Sequence, residues 1–181
     1  MRFILSILLF KSSMIIFISL FSFFRIIFSL DVASTSLDSS KSVSETAKPP
    51  PTKLIMKGNE IALFSAGAIL SEVVSVAEEL IGIGVIPRVY SFPTIKPIDK
   101  KVIAECAREC KHIFTVEEHN IVGGFGSSVT EVVAELADAK AQVHRIGMKD
   151  EYTNVVGSQN YLRAKYGLDA DSIFTKIKEV L

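Results

Sequence analysis

HIFTVEEHNIVGGFGSSVTEVVAELADAKAQVHRIG, residues 112–147, decides the fold. His112 to Glu117 is a β-branched and aromatic run that reads as a strand. After a glycine-rich turn, Gly123 to Ala137 places Val129, Val132, Val133 and Leu136 on one helical face. Gln142 to Gly147 is again a strand. Strand, helix and strand joined in this way require parallel pairing with a right-handed crossover. Upstream, Pro93 and Pro97 forbid helix until Asp99, a cap for a helix carrying Val102, Ile103, Cys106, Ala107 and Cys110 on one face. Before it, Ile86 to Phe92 reads as a strand. Ala68 to Ile81 reads as a helix with Ile69, Leu70, Val73, Val74, Ala77, Leu80 and Ile81 inward, stopped by Gly82 and Gly84. Leu54–Lys57 and Glu60–Ser65 flank Gly58-Asn59, which predicts a hairpin. Downstream, a short helix from Ser158 stops at Gly167, and Asp169 is expected to cap a last helix bearing Ile173, Ile177 and Val180. The predicted class is three-layer α/β: a mostly parallel five-stranded sheet with one antiparallel edge strand. Sheets of this kind bind ligands beyond the carboxyl ends of their strands, here after Phe92, Val116 and Ile146.

The remaining sequence divides at residues 30 and 53. Lys plus Arg and Asp plus Glu each number 20 among 181 residues, so no basic footprint suits a nucleic acid. Residues 1–30 hold Arg2, Lys11 and Arg25, no acid, and seven of the twelve phenylalanines. The uncharged run between Lys11 and Arg25 is thirteen residues, short of the roughly 20 that cross a bilayer. Three readings stay open: a signal or membrane anchor, with Val32-Ala33-Ser34 a tolerable cleavage site, an organellar transit peptide, or an extension without function. Residues 31–53, rich in Ser, Thr and Lys and ending near Pro49-Pro50-Pro51, read as a flexible linker. Residues 54–181 are the folded domain. Two cysteines are too few for a disulfide framework.

Candidate chemistry gathers after Val116. Gly123, Gly124 and Gly126 open a helix whose free N–H groups could bind an anion, although the pattern is neither a Walker sequence nor a dinucleotide fingerprint. The plainer reading is a turn packed close to a neighbouring segment. Glu117 and Glu118 are strand neighbours that point to opposite faces, so they cannot serve one substrate as an acid–base pair. With His119 they are read as an interface or loop-fixing set. Cys106, Cys110 and His112 leave a tetrahedral metal site one ligand short, so the thiols are assigned to the core. His144 is expected half-exposed, without a partner evident in sequence.

The stretches FPTIKPID (92–99) and FTVEEHNIVGGFG (114–126), with KGNEIALFSAGAILSEVV and YLRAKYGLDADSIFTKIKEVL, resemble the C-terminal domain of transketolases, above all the C-terminal subunit of split, two-chain transketolases. The same domain occurs in deoxyxylulose-phosphate synthases and in the β subunits of 2-oxo acid dehydrogenases. The resemblance covers about Leu54 to Leu181. It implies a thiamine diphosphate enzyme that moves a two-carbon ketol unit between sugar phosphates, with Mg²⁺ on the diphosphate, both held by domains that precede this one. It carries over no catalytic, cofactor or metal residue. Glu118, His119, Gly123, Gly124 and Gly126 become scaffold or contact positions. The implied partners are thiamine-binding domains or subunits, within a homo-dimeric assembly that is cytoplasmic by family. The chain is expected to be inactive alone. Where split transketolases carry a Gly-Glu-Ser-Gly-like stretch, this sequence reads Asp150 to Gly157, which leaves the substrate open. A second hypothesis is a membrane-tethered or exported binding module that recognises an anionic ligand or a protein through the Glu118–Gly126 loop.

Overall fold

The structure, a computed structural model, describes residues 49–181. The apolar segment 1–30 and all but the end of the linker lie outside the described residues. Five strands, β1 (Lys53–Met56), β2 (Ile61–Ala66), β3 (Arg88–Ser91), β4 (His112–Asn120) and β5 (Gln142–Met148), form one sheet in the order β1-β3-β2-β4-β5. β1 runs antiparallel to β3, and the other neighbours are parallel. The helices are α1 (Leu70–Gly82), α2 (Lys100–Glu109), α3 (Phe125–Ala134), α4 (Gln159–Tyr166) and α5 (Ala170–Lys178). The three-layer class and the antiparallel edge strand are as expected.

The hairpin is not. β1 pairs with β3, which lies between β1 and β2, so Gly58-Asn59 is not a two-residue turn between paired strands. The glycine is needed there for a different reason: a Cβ on the buried Gly58 would run into the carbonyl group of Ile86 and the backbone of Pro87. Asn59 N–H donates to Ile86 O at 3.2 Å, and Arg88 Nε donates to Gly58 O at 3.2 Å. The approach to β3 is thus pressed against this bend. Gly58→Ala is expected to cost about 1–3 kcal/mol in a urea melt, because backbone cannot yield as a side chain can.

Side chains alternate across the sheet and build two cores. On one face Ile61, Leu63, Phe114 and Val116 meet α1 and the α5 residues Ile173 and Ile177. On the other, Ala62, Phe64 and Ile113 meet Ile103 and Cys106 of α2 and Phe125 and Val129 of α3. Phe64, Phe92 and Phe125 pack in a row of mutually tilted rings with centroids 4.9 and 5.1 Å apart, joining β2, the end of β3 and α3. In α1 the buried positions are Val73, Val76, Ala77 and Leu80, whereas Ile81 is exposed and Val74 half-buried. A 3₁₀ turn over Gly67–Ile69 precedes the α-helix, which starts at Leu70. Asp99 caps α2 as expected, its Oδ1 accepting from Val102 N–H at 3.2 Å.

Candidate functional site: the carboxyl end of the sheet

Parallel order changes direction between β2 and β4, so their carboxyl ends flank the crevice where an open α/β sheet usually takes a ligand. Ala66 pairs with Glu117 at its edge. Glu117 is 1% exposed, and its carboxylate accepts from the N–H groups of Phe125 at 2.7 Å and Gly126 at 2.8 Å. These are the first two residues of α3. The anion at this helix N-terminus is therefore supplied by the chain itself, and it satisfies two donors that the helix leaves open. A diphosphate would find those donors taken, so this turn does not fit the diphosphate of a thiamine cofactor.

The glycines are explained by that arrangement. A Cβ on Gly124 would strike the Glu117 carboxylate and Asn120 O, and one on Gly126 would stand 2.9 Å from Arg145 Cγ. Gly123 takes φ 73°, a left-handed conformation. Around them, Asn120 Oδ1 accepts from Val122 N–H at 2.7 Å, and Ser127 Oγ accepts from Gly123 N–H at 3.1 Å. Arg145 Nη1 donates to Ile121 O at 2.8 Å and to Ser127 Oγ at 3.0 Å. The loop is closed by its own polar groups.

Glu118 faces the opposite side of the strand. Its Oε1 accepts from Arg163 Nε at 2.7 Å and Gln159 Nε2 at 3.0 Å. Arg163, only 7% exposed, also donates from Nη1 to Glu72 Oε1 at 3.1 Å. Glu72 Oε2 in turn accepts Ala170 N–H at 3.1 Å, at the start of α5. Asp169 occupies the N-cap position, but its side chain makes no capping hydrogen bond. The expected cap thus comes from α1, because folding brings Glu72 within reach of the open donor. Gly167 ends α4 as expected, at φ 65°, with Leu168 N–H returning to Arg163 O at 2.7 Å.

β4 bulges between Val116 and Asn120, the stretch that carries both carboxylates. Val116 pairs with Ile146 and Asn120 with Met148, so four steps of β4 oppose two of β5. The bulge lies over Gly147, where a Cβ would stand 2.9 Å from His119 O and 3.0 Å from Glu117 Cγ. His119 itself is exposed. The 149–158 segment leaves beside Asn120, whose Nδ2 donates to Asp150 Oδ1 at 2.7 Å, and returns beside Glu118. Tyr152 and Val156 on that segment stand fully in solvent.

A sequence profile described as "Transketolase, C-terminal domain" matches residues 52–173. The chain belongs to the transketolase C-terminal domain family. Over 125 residues it is 37% identical to one of the subunits of the apulose-4-phosphate transketolase of Actinobacillus succinogenes, covering 69% of this chain and 40% of that one. It is 35% identical over 128 residues to the 1-deoxy-D-xylulose-5-phosphate synthase of Heliobacterium modesticaldum, covering 71% of this chain and 20% of the synthase. A solved structure described as a split gene transketolase, an inactive beta4 tetramer, aligns with a TM-score of 0.66 at 27% identity, over 73% of this chain and 42% of that one. The chain therefore spans well under half the length of these relatives.

In this transketolase C-terminal domain the candidate positions do not converge on one pocket. Glu118 joins the Arg163 network, Gly124 and Gly126 lie against Glu117 and Arg145, and His119 faces solvent. Sequence reading misses Glu72, Gln159 and Arg163, which are distant in the chain. Gly147 carries a signal, because a glycine inside a strand marks a close approach of another backbone. Cys106 and Cys110 are buried, and the hydrogen bond to Cys110 together with burial pushes the Cys106 thiol above the usual thiol range. It behaves as a core group rather than a nucleophile.

His144 does have a partner. Its Nε2 lies 3.1 Å from Nδ1 of His112. Burial, and then the neighbouring His112, lower the pKa of His144 below its ordinary value. The folded state therefore binds fewer protons than the unfolded chain near pH 6, and stability falls as the pH drops below about 6.5. Urea melts between pH 7.5 and 5 are expected to show that loss, and His144→Phe to flatten it.

Proposed function

We propose that this chain is the C-terminal, non-catalytic part of a thiamine diphosphate-dependent transketolase-type enzyme. It contributes to ketol transfer between sugar phosphates only together with the thiamine-binding domains or subunits, which also hold Mg²⁺. The observation that carries this reading is where the carboxylates at the sheet's carboxyl end are used: Glu117 caps α3 and Glu118 anchors Arg163, so both serve the fold. The family match and the partial coverage of the relatives support it. In this reading the Gly123–Gly126 turn, His119 and the 149–158 segment form contact surface towards other domains of a homo-dimeric assembly. The site of action is cytoplasmic, as for the family.

The test is an assay of thiamine-dependent ketol transfer by the purified chain, alone and mixed with a chain carrying thiamine-binding domains. No turnover alone and turnover on mixing is the expected result, and turnover by the lone chain overturns the proposal. A membrane-tethered or exported binding module draws no support from the relatives, and among the described residues no helix is long and apolar enough to cross a membrane. Cell fractionation of the full chain separates the two readings.

A further inference from the structure

His112 and His144 sit at the amino end of the β4–β5 pair, away from the carboxyl-end network. His112 pairs with Gln142 and His144 with Phe114, so the two imidazoles are diagonal neighbours on one face of the sheet. Phe114, almost fully buried, orients both. The His144 ring stacks on it with centroids 4.8 Å apart and planes 21° from parallel, and the His112 ring lies 6.1 Å away at 36°. Both histidines are only half-buried, so the pair is open to solvent on one side.

The facing nitrogens, Nδ1 of His112 and Nε2 of His144, are 3.1 Å apart. Two imidazole nitrogens bound side by side to one ion at about 2.0–2.1 Å are separated by roughly 2.9–3.4 Å, depending on geometry. The resting separation already matches. We propose that His112 and His144 form a two-imidazole chelating site for a borderline divalent cation of the Zn²⁺, Ni²⁺ or Cu²⁺ class, the ions that imidazole suits. In the resting pair one facing nitrogen carries a proton and the other a lone pair. On binding, the proton on the donor ring moves to that ring's outer nitrogen, so both facing nitrogens present lone pairs and a neutral pair releases no proton. The lowered pKa of His144 favours that neutral form. Among the described residues no group of three or more His, Cys, Asp or Glu stands ready to hold a metal, so this site supplies two ligands and water completes the shell. It is accordingly an exchangeable site, and it is independent of the transketolase reading.

Calorimetric titration of the full chain with Ni²⁺ alone, at pH 7.5 and 5.5, tests it. One ion per chain is expected at pH 7.5, with affinity lowered at pH 5.5 where protons compete. His112→Ala and His144→Phe should each weaken binding by about tenfold or more, since each leaves a single imidazole. The phenylalanine keeps the ring stacked on Phe114, which separates loss of a ligand from loss of fold, as far-ultraviolet circular dichroism will verify. The chain has three histidines, so His119→Ala is the internal control and should bind as the parent does. Unchanged affinity in His144→Phe, or an equal loss in His119→Ala, overturns the proposal.

Discussion

Glu117→Ala lowers stability by roughly 3–5 kcal/mol in a urea melt. The substitution strips the acceptor from two N–H groups at the buried start of α3, and each orphaned buried donor costs about 1–3 kcal/mol. It also removes the negative charge from the positive end of the helix dipole, worth about 0.3–1 kcal/mol. Glu117→Gln retains one acceptor and is expected to lose about half as much. The control is Glu135→Ala just beyond the same helix, where a well-exposed ion pair with Lys100 at 3.3 Å is broken, with an expected change within about 0.5 kcal/mol. Should Glu117→Ala prove no more costly than that control, the carboxylate is not what holds α3 to β4.

Arg163→Ala is expected to cost a further large amount, about 3–5 kcal/mol, because it leaves two partly buried carboxylates facing each other without their shared cation. Arg163→Lys should rescue little, since a lysine cannot present the fixed fork that meets Glu118 from Nε and Glu72 from Nη1 at once. The informative variant is Arg163→Met with Glu118→Gln, which removes the repulsion with the cation and should recover part of the loss. Hydrogen exchange locates the effect: protection should fall first at the amides of α4 and at Ala170. Uniform loss across the sheet would show instead that Arg163 acts through general packing.

Order and type of the elements are legible in the sequence, because each depends on residues close in the chain. Asp99 caps three positions away and Gly167 stops its own helix, so local chemistry settles both. The mostly parallel sheet follows from strands alternating with amphipathic helices. What local pattern misreads is long-range. Gly58-Asn59 has the composition of a hairpin turn, yet the glycine answers to Ile86 and Pro87, which only the crossover through α1 brings alongside. Glu117 and Glu118 do lie on opposite faces, as strand alternation requires, but nothing local marks Arg163, 45 positions beyond Glu118, as its partner. Local pattern likewise assigns Asp169 as the cap of α5, although the donor at Ala170 is met from Glu72.

That last bond joins positions 98 apart. A hydrogen bond of such span forms only after the intervening strands have assembled, since loop closure must be met before the contact contributes. During synthesis α5 emerges after every other described element, and until it seats, the strip that receives Ile173 and Ile177 stays bare. The last-made helix thus seals the sheet, and a ribosome that stalls before Ala170 leaves it with an open, adhesive flank.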